Sequence, residues 1–209
     1  VEKMKIIKLE VGNLGANCYI VYCEKTLNGA VIDPGGNAQD IIRVINQEKI
    51  KIVSIINTHG HADHIGDNDR IKEHTGAPVM IHKEDAGMLI SSQGNLSMYI
   101  GSNLICQAAD VLLSDGQKIM VGELEFQVIH APGHTPGGIC LKVNDVVFSG
   151  DTLFQQSIGR SDFPGGSHNQ LVNSIKERLL VLADDTTILP GHGGETTIIN
   201  ERQNNPFLQ

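Results

Sequence analysis

Thr58-His59-Gly60-His61-Ala62-Asp63-His64 packs three imidazoles and a carboxylate into six consecutive positions, directly after the apolar run Ile52-Val53-Ser54-Ile55-Ile56. Imidazole and carboxylate are the side chains that hold Zn²⁺ or Fe²⁺, and this spacing lets one tight loop deliver four such groups to one place. The β-branched run before it reads as a strand covered on both faces, which puts the loop at a strand's mouth. A solvated polar loop would not call for four ligand-type side chains. The expectation is a metal site whose other half comes from the remainder of the chain.

Three later positions repeat the local chemistry. His134 lies in Ala131-Pro132-Gly133-His134-Thr135-Pro136-Gly137, Asp151 in Phe148-Ser149-Gly150-Asp151-Thr152, and His192 in Leu189-Pro190-Gly191-His192-Gly193-Gly194. Each follows an apolar strand and a glycine, where the backbone can turn sharply and aim a side chain out of the sheet's end. His74, His82, His130 and His168 lack that setting. His130 precedes His134 by four positions, but Pro132 and Gly133 intervene and exclude a helical pair. It reads as a strand-end histidine, or as one that supports a ligand.

The rest of the chain supplies a frame of strands and helices. Lys5 to Val11, Cys18 to Cys23 and Ala30 to Asp33 are expected strands, with Asn28-Gly29 as a hairpin turn. Asp33, before Pro34-Gly35-Gly36, reads as a turn cap or a ligand. Asn37 should cap a helix carrying Ile41, Ile42 and Ile45. A short helix is expected over Gly66 to His74, a strand at Val79-Met80-Ile81 and a helical turn or two over Lys83 to Ile90. Ser91 to Asn103 reads as a mobile loop, either a lid or a surface excursion. Strands follow at Lys118 to Val121, Leu124 to His130, Gly138 to Val143 and Val146 to Ser149, then a helix from about Asn169 to Ala183. Thr187-Ile188-Leu189 is a last strand and Glu195 to Arg202 a closing helix. No linker or change of composition divides the 209 residues, so two sheets packed face to face in one domain are expected.

A formal charge of −8, with no long Lys/Arg run and no Trp, argues against nucleic acid or an anionic membrane as partner. No apolar run approaches the ~18 residues of a membrane span, and no signal peptide is expected from the opening residues. Cys18, Cys23, Cys106 and Cys140 have no CxxC spacing and read as buried thiols in a reducing, cytoplasmic setting.

The ordered set His-x-His-x-Asp-His, then His134, Asp151 and His192, resembles the metallo-β-lactamase-fold hydrolase superfamily, over about Lys5 to His192. That resemblance implies an α/β fold, the αββα sandwich of two mixed β-sheets with helices on the outer faces. It implies that His59, His61 and His134 bind one divalent ion, that Asp63, His64 and His192 bind a second, and that Asp151 bridges them. Asp63 and Asp151 are then the catalytic carboxylates. Zn²⁺ is the first choice, and Fe or Mn suits the same donors. A hydroxide shared by two such cations would be the nucleophile.

Gly159-Arg160-Ser161-Asp162 and the end of the sequence resemble the single-domain glyoxalase II-like group, which implies a small-molecule thioester substrate of the S-lactoylglutathione kind. The helical domain with which two-domain relatives grip glutathione is not expected here, since the sequence ends seventeen residues after His192. The loop with Met98 and Tyr99 could replace some of those contacts. Arg160 would bind a substrate carboxylate through its planar fork, or pair with Asp162 to stiffen its loop, or both. The alternative reactions are oxidation of glutathione persulfide at one Fe²⁺ held by His59, His134 and Asp151, and hydrolysis of a lactone or other ester. A non-catalytic metal-binding module is a further reading.

Overall fold

A computed structural model, in which residues 3–209 are described, builds the first sheet from β1 (Met4–Val11), β2 (Ala16–Cys23), β3 (Asn28–Ile32), β4 (Lys51–Ile56), β5 (Val79–His82) and β6 (Val111–Leu113), in that spatial order. β1 to β3 are antiparallel and β3 to β6 parallel. Parallel neighbours need crossovers. These come from α1 (Ala38–Gln47), from α2 (Ala62–Ile65) with α3 (Asn68–Thr75), and from the segment holding α4 (Ala86–Leu89). The second sheet starts with β7 (Lys118–Val121), β8 (Leu124–His130), β9 (Ile139–Val143) and β10 (Val146–Gly150). A small hairpin of β11 (Leu153–Phe154) and β12 (Ser157–Ile158) follows, then α5 (His168–Ser174), which runs into a π-helical turn over Ile175–Leu179. β13 (Thr187–Pro190), β14 (Thr196–Thr197) and α6 (Ile198–Asn204) complete the chain, giving the sheet order β14-β13-β10-β9-β8-β7.

Burial follows the two-residue period of a strand. In β2, Cys18, Ile20 and Tyr22 face α1 and α3, while Tyr19, Val21 and Cys23 face the second sheet. In β10, Val146 and Phe148 enter the core between the sheets, and Val147 packs under Leu171, Ile175 and Leu179. The layers are therefore helix, sheet, sheet, helix, and both sheets are mixed. All four cysteines are buried and free, and no helix among the described residues is long and apolar enough to cross a membrane.

The structure departs from expectation in several places. Asn28-Gly29 is not the hairpin turn but the start of β3; the turn lies just before it, with Leu27 at φ 56°. Gly29 serves space instead, since a Cβ there would lie 2.5 Å from Ile50 Cγ2. Asn37 precedes α1 but does not cap it: its Oδ1 accepts from Gly12 N, and Asp67 Oδ2 accepts the Ala38 N–H. Residues 91–103, expected as a loop, carry local structure. They contain a 3₁₀ turn over Ser97–Ile100, and Asn95 stitches them down by donating to Leu104 O and accepting from Ser97 N. Helix starts elsewhere shift by a few residues, with Ser167 capping α5 and Thr197 capping α6.

β4 carries a bulge: Gly29 pairs with Ile52 but Ala30 pairs with Ser54, so Val53 is the extra residue. The inserted residue flips the alternation, which sends Ile55 to the helix side and Ile56 between the sheets. Ser54 is left buried, with Oγ lacking a hydrogen-bond partner among the described residues. An unpaired buried hydroxyl costs about 1–3 kcal/mol. Ser54→Ala should therefore raise stability by about 1 kcal/mol, or Tm by about 2–4 °C, in thermal unfolding. A lowered Tm would show that the hydroxyl is paired.

Candidate metal centre

Four strand ends meet at one edge of the sandwich. β4 leads into the His59–His64 loop, β8 into the loop of His134, β10 into Asp151 and β13 into His192. The structure brings all seven side chains together. One donor atom from each of His59, His61 and His134 lies within 4.8 Å of the others, and the same holds for Asp63, His64 and His192. Asp151 stands between the two groups. Its Oδ1 is 3.4 Å from His64 Nε2, and its Oδ2 is 3.7 Å from both His134 Nε2 and His192 Nε2. Asp63 Oδ2 is 3.1 Å from His192 Nε2 and 3.5 Å from His64 Nε2.

The second nitrogen of three rings is already engaged, and this fixes which nitrogen faces the centre. Thr58 donates its hydroxyl to Asp33 Oδ2 at 2.6 Å, so Thr58 Oγ1 accepts from His59 Nδ1 at 3.1 Å. His64 Nδ1 donates to Asp33 Oδ2 at 3.0 Å, and His134 Nδ1 to the Arg160 carbonyl at 2.6 Å. Asp33 is thus neither a turn cap nor a group aimed at the centre. It sits at φ 52° and spends both oxygens on Thr58 and His64. His61 turns its Nδ1 inward, 2.9 Å from His134 Nε2.

Three inward atoms, His59 Nε2, His64 Nε2 and Asp151 Oδ1, are buried with no hydrogen-bond partner among the described residues. Such atoms are costly unless something else satisfies them. A divalent cation would do so. With bonds of about 2.1 Å, tetrahedral donors lie about 3.4 Å apart, close to the spacings around Asp151 and Asp63. The residues present fit divalent metal.

Charge is arranged to suit. Burial pushes His59 well below the ordinary imidazole range and, with His134 adding to it, pushes His61 down to about 3, so both offer neutral lone pairs. Burial opposes protonation of His64 too, but the Asp151 and Asp33 carboxylates outweigh it and hold His64 above its ordinary value. The hydrogen bond to Asp63 raises His192. Burial works against ionising Asp63 and Asp151, yet the hydrogen bond from His192 and the His64 charge keep Asp63 low, and His64 foremost keeps Asp151 low.

The profile of the Metallo-beta-lactamase superfamily matches residues 11–192. The chain belongs to that superfamily. A relative from Haemophilus influenzae named hydroxyacylglutathione hydrolase GloC is 35% identical over 98% of each chain. The solved structure of BLEG-1, described as a B3 metallo-beta-lactamase, is 35% identical with a TM-score of 0.94, covering 98% of this chain and 100% of the other. That of TTHA1623 in a di-iron-bound form is 33% identical with a TM-score of 0.86, covering 97% and 100%.

Within this superfamily member, the centre floors a cavity of about 710 Å³ walled by the residue 91–103 segment, the β11–β12 hairpin and the Arg160–Pro164 loop. Arg160 lines it, with Nε and Nη2 donating to the two oxygens of Asp162 at 3.0 and 2.8 Å. Asp85 is the participant that sequence reasoning missed. Fully buried, it accepts from Gly60 N, Thr135 Oγ1 and Gly137 N, and so ties the His59–His61 loop to the His134 loop. In sequence it is only an acidic residue before a helical turn, and no spacing singles it out. Asp85→Asn replaces one acceptor by a donor among three incoming donors. It should weaken metal affinity about tenfold, measured by competition with a chelating dye. Unchanged affinity would mean that the two loops are held by other contacts.

Proposed function

We propose that the protein is a metal-dependent hydrolase of small-molecule thioesters, working with two divalent cations, Zn²⁺ being the expected pair. His59, His61 and His134 would hold one, Asp63, His64 and His192 the other, and Asp151 both. The observation that carries this reading is the set of orphaned inward atoms on His59, His64 and Asp151, set between two groups of three donors. The relative named hydroxyacylglutathione hydrolase supports the thioester, and the four free, buried cysteines support a cytoplasmic setting. Ligands from both sheets support one functional unit spanning the chain.

The bound pair would supply a water acidified toward neutrality and a Lewis acid for the carbonyl oxygen. The chain's own residues do the remaining work. Asp33, through Thr58 and directly, keeps His59 and His64 in the tautomer that turns Nε2 inward. Asp63, beside His192 and partly exposed, stays ionised and so is ready to hold the second cation without first losing a proton. Asp151 sets the spacing of the two groups. A substrate carboxylate reaching Arg160 would compete with Asp162 for the guanidinium.

The test is turnover by the metal-loaded protein of S-lactoylglutathione and a short acyl thioester, with oxygen uptake followed on glutathione persulfide. Thioester cleavage without oxygen uptake is expected. Asp151→Ala should lower kcat/KM by about 100-fold or more, beyond the loss typical of a group one step behind a ligand, and should reduce metal content. Oxygen uptake on the persulfide with intact thioesters would favour the one-iron site of His59, His134 and Asp151 and overturn this reading. Wild-type turnover by Asp151→Ala would overturn the shared-carboxylate assignment.

A further inference from the structure

Taking thioester hydrolysis as the activity, we infer that the site selects thioesters carrying an uncharged, apolar chain or ring, and selects against charged thiols of the glutathione kind. The cavity's walls give the first reason. Leu14, Leu96, Ile100, Phe154, Ile158 and Phe163 line it alongside the metal-centre residues, and its volume of about 710 Å³ is that of a pocket for a small organic molecule. Aromatic rings flank both halves of the centre. Phe163 meets His61 edge-on at 5.6 Å between centroids, and Phe154 meets His192 at 6.3 Å. A group attached to a carbonyl placed at the floor of the cavity would leave the centre along apolar surface.

Charge gives the second reason. Glutathione brings two carboxylates and an ammonium, and its recognition calls for free cations at fixed places. Apart from histidines, the cation lining the cavity is Arg160. Both oxygens of Asp162 already occupy its fork, and its guanidinium lies over the Phe163 ring at 4.3 Å.

The mouth gives the third. Leu14, Tyr99 and Ile100 are 57%, 63% and 63% exposed, and all three line this one cavity. Single exposed apolar side chains are ordinary, but a rim of them around a cavity marks a surface that something apolar covers. The rim is fixed to the centre. Asn95 O accepts the Ala62 N–H inside the ligand loop at 2.9 Å, and Asn17, just after the turn that carries Leu14, donates its N–H to Gly191 O beside His192 at 2.7 Å. The apolar part of the substrate is the occupant that fits this continuity.

The experiment compares acetyl, butyryl and hexanoyl thioesters of N-acetylcysteamine, a neutral thiol, with S-lactoylglutathione, on metal-loaded protein. We expect kcat/KM to rise about threefold to fourfold per buried methylene until the cavity fills. The hexanoyl compound should exceed S-lactoylglutathione at least about tenfold. Ile100→Ser and Phe163→Ala should each reduce the hexanoyl-to-acetyl ratio. Calorimetric binding of the uncleavable thioethers S-hexyl- and S-methyl-N-acetylcysteamine gives a readout independent of turnover, and the hexyl compound should bind tighter. Cleavage with S-lactoylglutathione preferred, or with no dependence on chain length, would overturn the inference and leave the hydrolase reading standing. No cleavage of any thioester, with S-hexyl still bound more tightly than S-methyl, would sink the hydrolase reading and keep the apolar selectivity. Equal binding of the two thioethers would overturn the inference directly.

Discussion

The buried carboxylate of Asp33 is the contact on which the centre depends. Its Oδ1 accepts Thr58 N at 2.8 Å, and its Oδ2 accepts both Thr58 Oγ1 and His64 Nδ1. Hydrogen bonds to charged groups contribute about 1.5–3 kcal/mol each, enough to hold two imidazoles with their far nitrogens inward and without partners. Asp33 can do this because β3 and β4 are parallel neighbours, so their carboxyl ends lie side by side. The fold thus turns a feature of the sheet into control over tautomers.

Close backbone approach is the second constraint. A Cβ on Gly35 would fall 1.5 Å from the Asp63 carbonyl oxygen, and one on Gly191 would fall 2.2 Å from Asp151 Oδ1. Alanine at either position would push apart the loops that carry donors from different strands. Asp85 completes the frame from the other side by joining the His59–His61 and His134 loops. The centre is therefore held by groups that do not themselves face it. The apolar cavity above is shaped by segments anchored to the same loops.

Much of this was legible in the sequence, for identifiable reasons. β4 and β10 are buried over most of their length on both faces, so they appear as nearly unbroken apolar runs, and the donor residues stand out where those runs end. His59 to His64 cluster so tightly that spacing alone pointed to metal. Contacts made over long separations left no such trace. Asp33 reaches Thr58 across 25 positions and Asp85 reaches Gly137 across 52, and either looks locally like a turn or cap residue. Asn37 misled in the same way, because the carboxylate that caps α1 belongs to Asp67, 29 positions away. Asn28-Gly29 has the composition of a turn, but packing against Ile50 demanded its glycine. The two-residue strands β11, β12 and β14 are too short to leave a periodic pattern. Arg160 and Asp162 do pair, as one of the two sequence readings held.

Seven side chains converge on one place, and under the proposed function they hold two cations. Calorimetric titration of Zn²⁺ into metal-free protein, repeated in buffers of different ionisation enthalpy, tests this most directly. His59 and His61 are already neutral, whereas His64 and His192, raised by their carboxylate neighbours, must give up protons to bind metal. About two Zn²⁺ per chain are expected, with net release of protons on loading near pH 7 and affinity that strengthens as pH rises because fewer protons remain to be displaced. Saturation at a single equivalent, or loading without proton release, would contradict this reading.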